Sequence, residues 1–308
     1  MQIMGLITAL PGAAAQGLIW GIMAIGVYIT FRILDIADLT VDGTLCTGGA
    51  VCIMMMLSGH NVWMSMLAAT GAGLLAGLAT GIFHTFMGIP AILAGILTQL
   101  SLYSVNLKIM GKANQAINVD KYNLLVSLRR VKGVTLTQNT LFIVAIMILL
   151  LIAVLYWFFG TELGCSLRAT GCNPSMSRAQ GINTDFNKVL GLMLSNGLVA
   201  LSGALLTQYQ GFADINMGRG SIVIGLAAVI IGEAIFSRIF RNFALKLLSV
   251  VFGSILYYLV LQVVIWLGVD TDLLKMFSAI VVAIFLAIPY WKSRYFAKPV
   301  RRGGSADA

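Results

Sequence analysis

Three aspartates fall within the stretch 'DIADLTVDGT', at Asp35, Asp38 and Asp42, in a run that is otherwise apolar enough for a membrane. Carboxylates there could hold a cation, carry a proton or anchor a gate, and each costs about 2.5–3.5 kcal/mol at the centre of a bilayer. They are therefore expected in a watery cavity or at an interface, where one helix breaks before the next. Gly43 follows them and opens the next apolar run. A second break, 'GFADINMGRGS', presents Asp214, Asn216 and Gly220 in a similar setting. Asn196 and Gln208 sit in an apolar run between the two breaks; such amides either line a pore or hydrogen-bond one helix to another. Glu233 is expected to pair with Arg238 or to cap a helix end. Other chemistries find no support. Cys46, Cys52, Cys165 and Cys172 form no C-x-x-C pair, His60 and His84 stand alone, and Met54-Met55-Met56 reads as packing, so neither a metal site nor a disulfide framework is expected. There is no H-E-x-x-H and no recognisable nucleophile–base pair, so the chain reads as no enzyme and needs no cofactor. It has no G-x-x-x-x-G-K-[ST] either, so energy from ATP would have to come from another chain.

The elements that must carry these residues are membrane helices. Of the 308 residues, 59% are hydrophobic and 10% charged, against roughly 25% charged in soluble domains. With about twenty residues per crossing, the apolar runs predict an all-α polytopic membrane protein of about nine transmembrane helices. The expected spans are 17–34, 43–57, 62–87, 90–105, 141–159, 189–209, 222–236, 247–267 and 273–291. Residues 1–16, broken by Pro11-Gly12, read as an interfacial lead-in without the basic region of a cleaved signal peptide. The polar connection 106–138 could form a hairpin around Gly133. The net charge of +9 is spread over loops and the tail 292–308, which suits a membrane protein with a cytoplasmic tail better than a nucleic-acid partner.

The chain also echoes itself. A shift of 177 positions superposes Gly26 on Gly203, Thr30 on Thr207, Gly43 on Gly220, Gly48 on Gly225 and Ala50 on Ala227. Each half then holds a span, a polar break and a glycine-led span, and the two copies should run oppositely through the membrane as an inverted repeat. This divides the single permease domain, 1–308, into a first half (17–138), a linking helix and polar island (139–188), a second half (189–291) and the tail. The two breaks are expected to start from opposite faces, which suits gate or pathway elements better than one fixed pocket.

The island itself, 'GTELGCSLRATGCNPSMSRAQGINTDFNK', interrupts the longest apolar runs and must lie in water at one face. Asn173 before Pro174 reads as an N-cap with proline at the first helical position, Ser175 to Gln180 as about two turns, and Gly181 as the stop. Gly164, Leu167-Arg168-Ala169, Gly171, Asn173, Ala179 and Gly181-Ile182-Asn183 form a string that strongly resembles the cytoplasmic loop of ABC importer permeases of the branched-chain amino acid and ribose group. 'DLTVDG' at 38–43 resembles a segment of the ribose branch, from which Asp42-Gly43 departs, and 'YSVNLKIMGKAN' resembles the branch labelled tryptophan/tyrosine permeases. The resemblance implies a multi-pass permease of the bacterial cytoplasmic (inner) membrane that imports a small solute, an amino acid in the first instance. It implies a coupling helix on a glycine-flanked stalk, with Met176 and Arg178 on the helix. It further implies two cytoplasmic ATPase subunits, an extracytoplasmic solute-binding protein and a second permease chain, most simply an identical copy, all assembled in membrane lipid. An ion-coupled transporter and a sugar or nucleoside permease stay open as alternatives.

Overall fold

The computed structural model describes residues 2–119, 122, 124–131, 139–236, 240, 242–268 and 273–295. The order is α1 (Gln2–Tyr28) running into a π turn (Ile29–Ile33), α2 (Val41–Leu57), α3 (Val62–Thr85), α4 (Ala91–Met110), β1 (Asn114–Ala116), α5 (Thr140–Gly160), α6 (Glu162–Cys172), α7 (Pro174–Ala179), α8 (Thr184–Gln210), β2 (Phe212–Asp214), α9 (Ser221–Phe236), α10 (Phe243–Trp266) and α11 (Leu274–Tyr295). Among the described residues six helices are long and apolar enough to cross a membrane; α2, α9 and the apolar part of α11 are shorter. The architecture is that of an all-α polytopic membrane protein.

α1 and α8 form the central pair, each buried along most of its length. Tyr209 donates to the carbonyl of Gly12 (3.0 Å), Ser202 to that of Ile19 (2.8 Å) and Ser195 to that of Gly26 (2.7 Å). Both series step by seven residues, two helical turns, and one rises as the other falls. The helices are therefore antiparallel and locked by hydroxyls bonded to backbone, the kind of contact that holds helices together where no hydrophobic force between them exists.

The expected repeat is present. α3 packs on α8 as α10 packs on α1; α2 lies between α8 and α3 as α9 lies between α1 and α10; α4 covers α2 as α11 covers α9. Gly48 meets Ala200, and Gly225, 177 positions on, meets Met23, which is 177 positions before Ala200. Because α1 and α8 head the two copies and run antiparallel, the repeat is inverted.

Two expectations are corrected, and a third falls largely outside the described residues. Residues 2–16 are no lead-in: the helix continues through Pro11, since an apolar surround forces the backbone to satisfy its own hydrogen bonds. Residues 132–138, the core of the expected hairpin around Gly133, lie outside the described residues; the described part of that connection pairs elsewhere, β1 with β2 in antiparallel register (Asn114 opposite Asp214, Ala116 opposite Phe212), joining the two halves. The island is no loose stalk either. It contains α6, whose Leu167 is fully buried, and Gly164 and Gly171 on that helix are sites of close packing.

Candidate functional site

The two polar breaks meet inside the bundle. Break one leaves the π turn at Leu34, turns at Asp35 (φ 56°), a left-handed conformation that aspartate tolerates better than most residues, and reaches α2 at Val41. Break two leaves α8 at Gly211 (φ 80°), passes β2 and reaches α9 at Ser221. Asp42, in the first turn of α2, bridges them. One carboxylate oxygen accepts from the Gly220 amide (2.9 Å), the other from the Ser221 hydroxyl (2.9 Å) and the Ile222 amide (2.9 Å). A carboxylate of one half thus caps α9, the second helix of the other half, and it lies at two positive helix ends at once. That is why it is affordable there. The breaks start at opposite ends of the bundle, as the expected topology has them, and the feature that topology did not give is that they converge at Asp42.

A layer of buried polar bonds supports the junction. Asp38, 2% exposed, accepts from the Thr40 amide (2.9 Å) and from the Asn196 side chain (2.7 Å). Asn196 in turn accepts from Thr44 (2.7 Å) and donates to Leu192 O (3.0 Å), which satisfies the whole amide. Thr40, Thr80 and Thr98 chain their hydroxyls from the head of α2 across α3 to α4 (2.7 and 2.9 Å). Gln208 accepts from the Leu125 amide (3.2 Å) and fixes the 124–131 segment against α8. Asn196 and Gln208 are both 1% exposed or less, inside helix packing and away from the junction cavity described next. Asp214 accepts from the Asn216 amide (2.7 Å) and so shapes break two locally, while Asp35 is exposed at the end of the bundle where α6 lies. Glu233 pairs with Arg32 (3.0 Å), in the π turn that follows α1; the expected partner Arg238 lies outside the described residues.

Beside Asp42 a cavity of about 350 Å³ opens between α2, α4 and break two, walled by Gly43, Cys46, Gln99, Tyr103, Asn106, Ile215 and Arg219. The Arg219 guanidinium lies 6.0 Å from the Tyr103 ring centre. Asn106 is 1% exposed; its amide nitrogen donates to Gly43 O (3.3 Å), and its oxygen has no hydrogen-bond partner. The Cys46 thiol beside it donates to Asp214 O (3.5 Å). A cation, an aromatic ring, amides and an unused buried acceptor suit a small polar solute with a carboxylate and a donor. Tyr103, Asn106 and Arg219 were not singled out from sequence. The available signal was the spacing of Gln99, Tyr103 and Asn106, four and then three residues apart on one helical face.

At the far end of break one lies the island. α6 starts on a cap from Thr161 to the Gly164 amide (3.3 Å) and presses Gly171 against the carbonyl of Ile33, the last residue of the π turn. α7 follows as read from sequence: Asn173 accepts from the Met176 amide (3.0 Å), Pro174 opens the helix, and Gly181 (φ 82°) ends it. Arg178 is tied to Thr184 (2.7 Å) and Asp185 (3.4 Å) at the head of α8, and Arg168 folds back to Phe159 O (2.7 Å), with Leu167 buried beneath. What α7 presents to solvent is Met176, 60% exposed, with Ala179 beside it and Phe186 nearby on α8, 53% exposed. Replacing Asn173 by alanine is expected to cost about 1 kcal/mol of local stability. Faster amide hydrogen exchange at Met176 and Ser177, with the rest of the chain unchanged, is the measurement that checks it.

Residues 10–288 match the family model described as the branched-chain amino acid transport system / permease component. A tyrosine transport system permease protein of Clostridioides difficile is 39% identical over 272 residues, covering 88% of this chain and 88% of the relative. An uncharacterized protein of Rickettsia prowazekii is 38% identical over 92% of this chain and 96% of its own length. A fructose import permease protein of Bifidobacterium longum is more distant, at 26% identity over 80% and 68%. No solved structure matches. An inverted pair of helical halves, two breaks joined at one carboxylate and a capped exposed helix on one face thus come with a family match over most of the length: the chain is a multi-pass inner-membrane transport subunit and belongs to the permease components of branched-chain amino acid transport systems.

Proposed function

We propose that the chain conducts an amino acid, aromatic or branched-chain, across the bacterial inner membrane as one of two identical permease subunits of an ATP-driven importer. The observation that carries this reading is the junction cavity. Arg219 is placed for a substrate carboxylate, the free oxygen of Asn106 and the Gln99 amide for an ammonium, and Tyr103 for the side chain. The tyrosine named for the relative fits that chemistry, and a sugar would leave the guanidinium without its anion.

Two further features support the assembly. α4 carries exposed Ser101, Ser104 and Lys108 along one side, among apolar residues, a polar stripe that suits an aqueous path shared with a second copy. α7 with Met176 is a rigid, partly apolar knob of the kind a separate ATPase could grip, and on this reading the island lies in the cytoplasm. The solute would be delivered by an extracytoplasmic binding protein to the opposite face.

Uptake of labelled tyrosine into proteoliposomes holding the permease, its ATPase and its binding protein tests the reading. Uptake should require ATP, be competed by other large neutral amino acids and not by ribose or fructose. Arg219→Gln should reduce it about tenfold or more, the value of a hydrogen bond to a charged group. Ion-driven uptake by the permease alone would sink the proposal in favour of a secondary transporter.

A further inference from the structure

A second polar cavity, distant from the junction, lies where the end of α1, α6 and the start of α10 come together. It measures about 450 Å³, and Arg32, Arg168 and Lys246 face it together with Tyr28 and Asn242. Among the described residues three cations share this space with one carboxylate in contact, Glu233, which is bound to Arg32 (3.0 Å). Lys246 has no acidic partner among the described residues. Arg168 lies 5.4 Å from the Phe243 ring centre, and past that pair the cavity adjoins a second one of about 520 Å³ whose mouth carries Tyr156 and Trp157. These two rings are 50% and 71% exposed at the last turn of α5.

α5 continues outward from that mouth. Its inner stripe, Val144, Ile148, Ile152, Leu155 and Phe159, is buried, and its outer stripe, Ile146, Leu149, Leu150, Val154 and Trp157, is exposed and wholly apolar. A site of net positive charge, lipped by amphipathic rings and continued by a bare hydrocarbon-facing wall, has the shape of a phospholipid with its head turned in.

We propose that this cleft holds the headgroup phosphate of an anionic phospholipid, with the acyl chains lying along the outer face of α5. Arg168 and Lys246 contact the phosphate, and Arg32 contributes from behind its bond to Glu233. A soluble anion would meet the same cations but gain nothing from the aromatic mouth or the apolar wall. Since Arg168 belongs to α6, a bound lipid would brace the helix that leads to α7.

The purified full-length chain, offered equal amounts of phosphatidylglycerol and phosphatidylcholine and examined by native mass spectrometry, should retain phosphatidylglycerol preferentially. Lys246→Gln should lower that retention about fivefold, the effect of one basic side chain near an anionic headgroup, and Lys246→Arg should keep it. Equal retention of the two lipids would overturn the proposal, as would undiminished phosphatidylglycerol in Lys246→Gln. Loss in both variants would make Lys246 a folding residue and overturn it too. Inorganic phosphate that displaced the lipid or stabilised the chain equally well would assign the site to a soluble anion instead.

Discussion

Asp42→Ala is expected to abolish uptake while leaving the chain in the membrane. The carboxylate is the acceptor for two backbone amides and one hydroxyl at the start of α9. Alanine removes all three bonds and leaves donors at a helix end with no substitute nearby, at about 1 kcal/mol or more each. Taken at that low value, the junction between the breaks weakens about a hundredfold. The spans do not depend on it, because α1 and α8 are locked by their own hydroxyl series, so insertion should be normal. Asp42→Asn keeps one acceptor oxygen and should retain partial transport. The measurement is ATP-dependent uptake set beside the amount of folded protein in the membrane. Wild-type uptake by Asp42→Ala would show that joining the two breaks is not required for transport.

The convergence at Asp42 marks where sequence reasoning stopped. The spans themselves are legible because an apolar run of the right length has one stable form in a bilayer, and the apolar helices α2–α5 and α8–α11 start and end within about five residues of where hydropathy puts them. α7 is legible because Asn173, Pro174 and Gly181 each have one strong local preference. Break geometry has no local signature. Counting spans places the two breaks at opposite faces, but α2 and α9 have 17 and 16 residues, about 25 Å at 1.5 Å per residue. They fall short of a full crossing, and the remaining depth is covered by the breaks themselves. The ten residues 211–220 can reach roughly 30 Å when extended, enough to return from the end of α8 to the middle of the bundle. The short lengths of α2 and α9, visible in the sequence, were the available clue.

α6 was missed for a related reason. Gly160, Gly164 and Gly171 read as loosening a stalk, because glycine is permissive when nothing is near it. In a membrane bundle glycine as often marks a place where two backbones touch. Gly160 faces open space, whereas Gly164 lies against Phe158 and Phe159, and Gly171 against Ile33 and Leu34. The buried pattern Gly164, Leu167, Thr170 has helical spacing and separates the two readings. Similarly, the bond from Glu233 to Arg32 spans 201 residues and follows only from the parallel course of α9 and α1.

Gly171→Val is expected to separate ATP hydrolysis from uptake. A side chain at that position would collide with the carbonyl of Ile33, a backbone atom that cannot rotate away, and would come within 2.9 Å of the Leu34 Cα. Relief requires α6 to move off the π turn, at a cost of about 1–3 kcal/mol for overpacking. α7 is fixed by its own cap and by Arg178, so it should still present Met176 to a partner. On the proposed reading, the contact broken is the one through which movement of the island would reach break one, and from there Asp42 and α9. The π turn is suited to that place, since such turns interrupt the regular helix ladder and often occur at functional positions. In the assembled transporter, hydrolysis should persist while uptake falls about tenfold or more, the equivalent of about 1.4 kcal/mol. Gly160→Ala, in the same segment with open space around it, serves as the control and should leave both activities unchanged. If Gly171→Val transports normally, force from the partner must enter the bundle by another route, for which the bonds from Arg178 to Thr184 and Asp185 at the head of α8 are the next candidate.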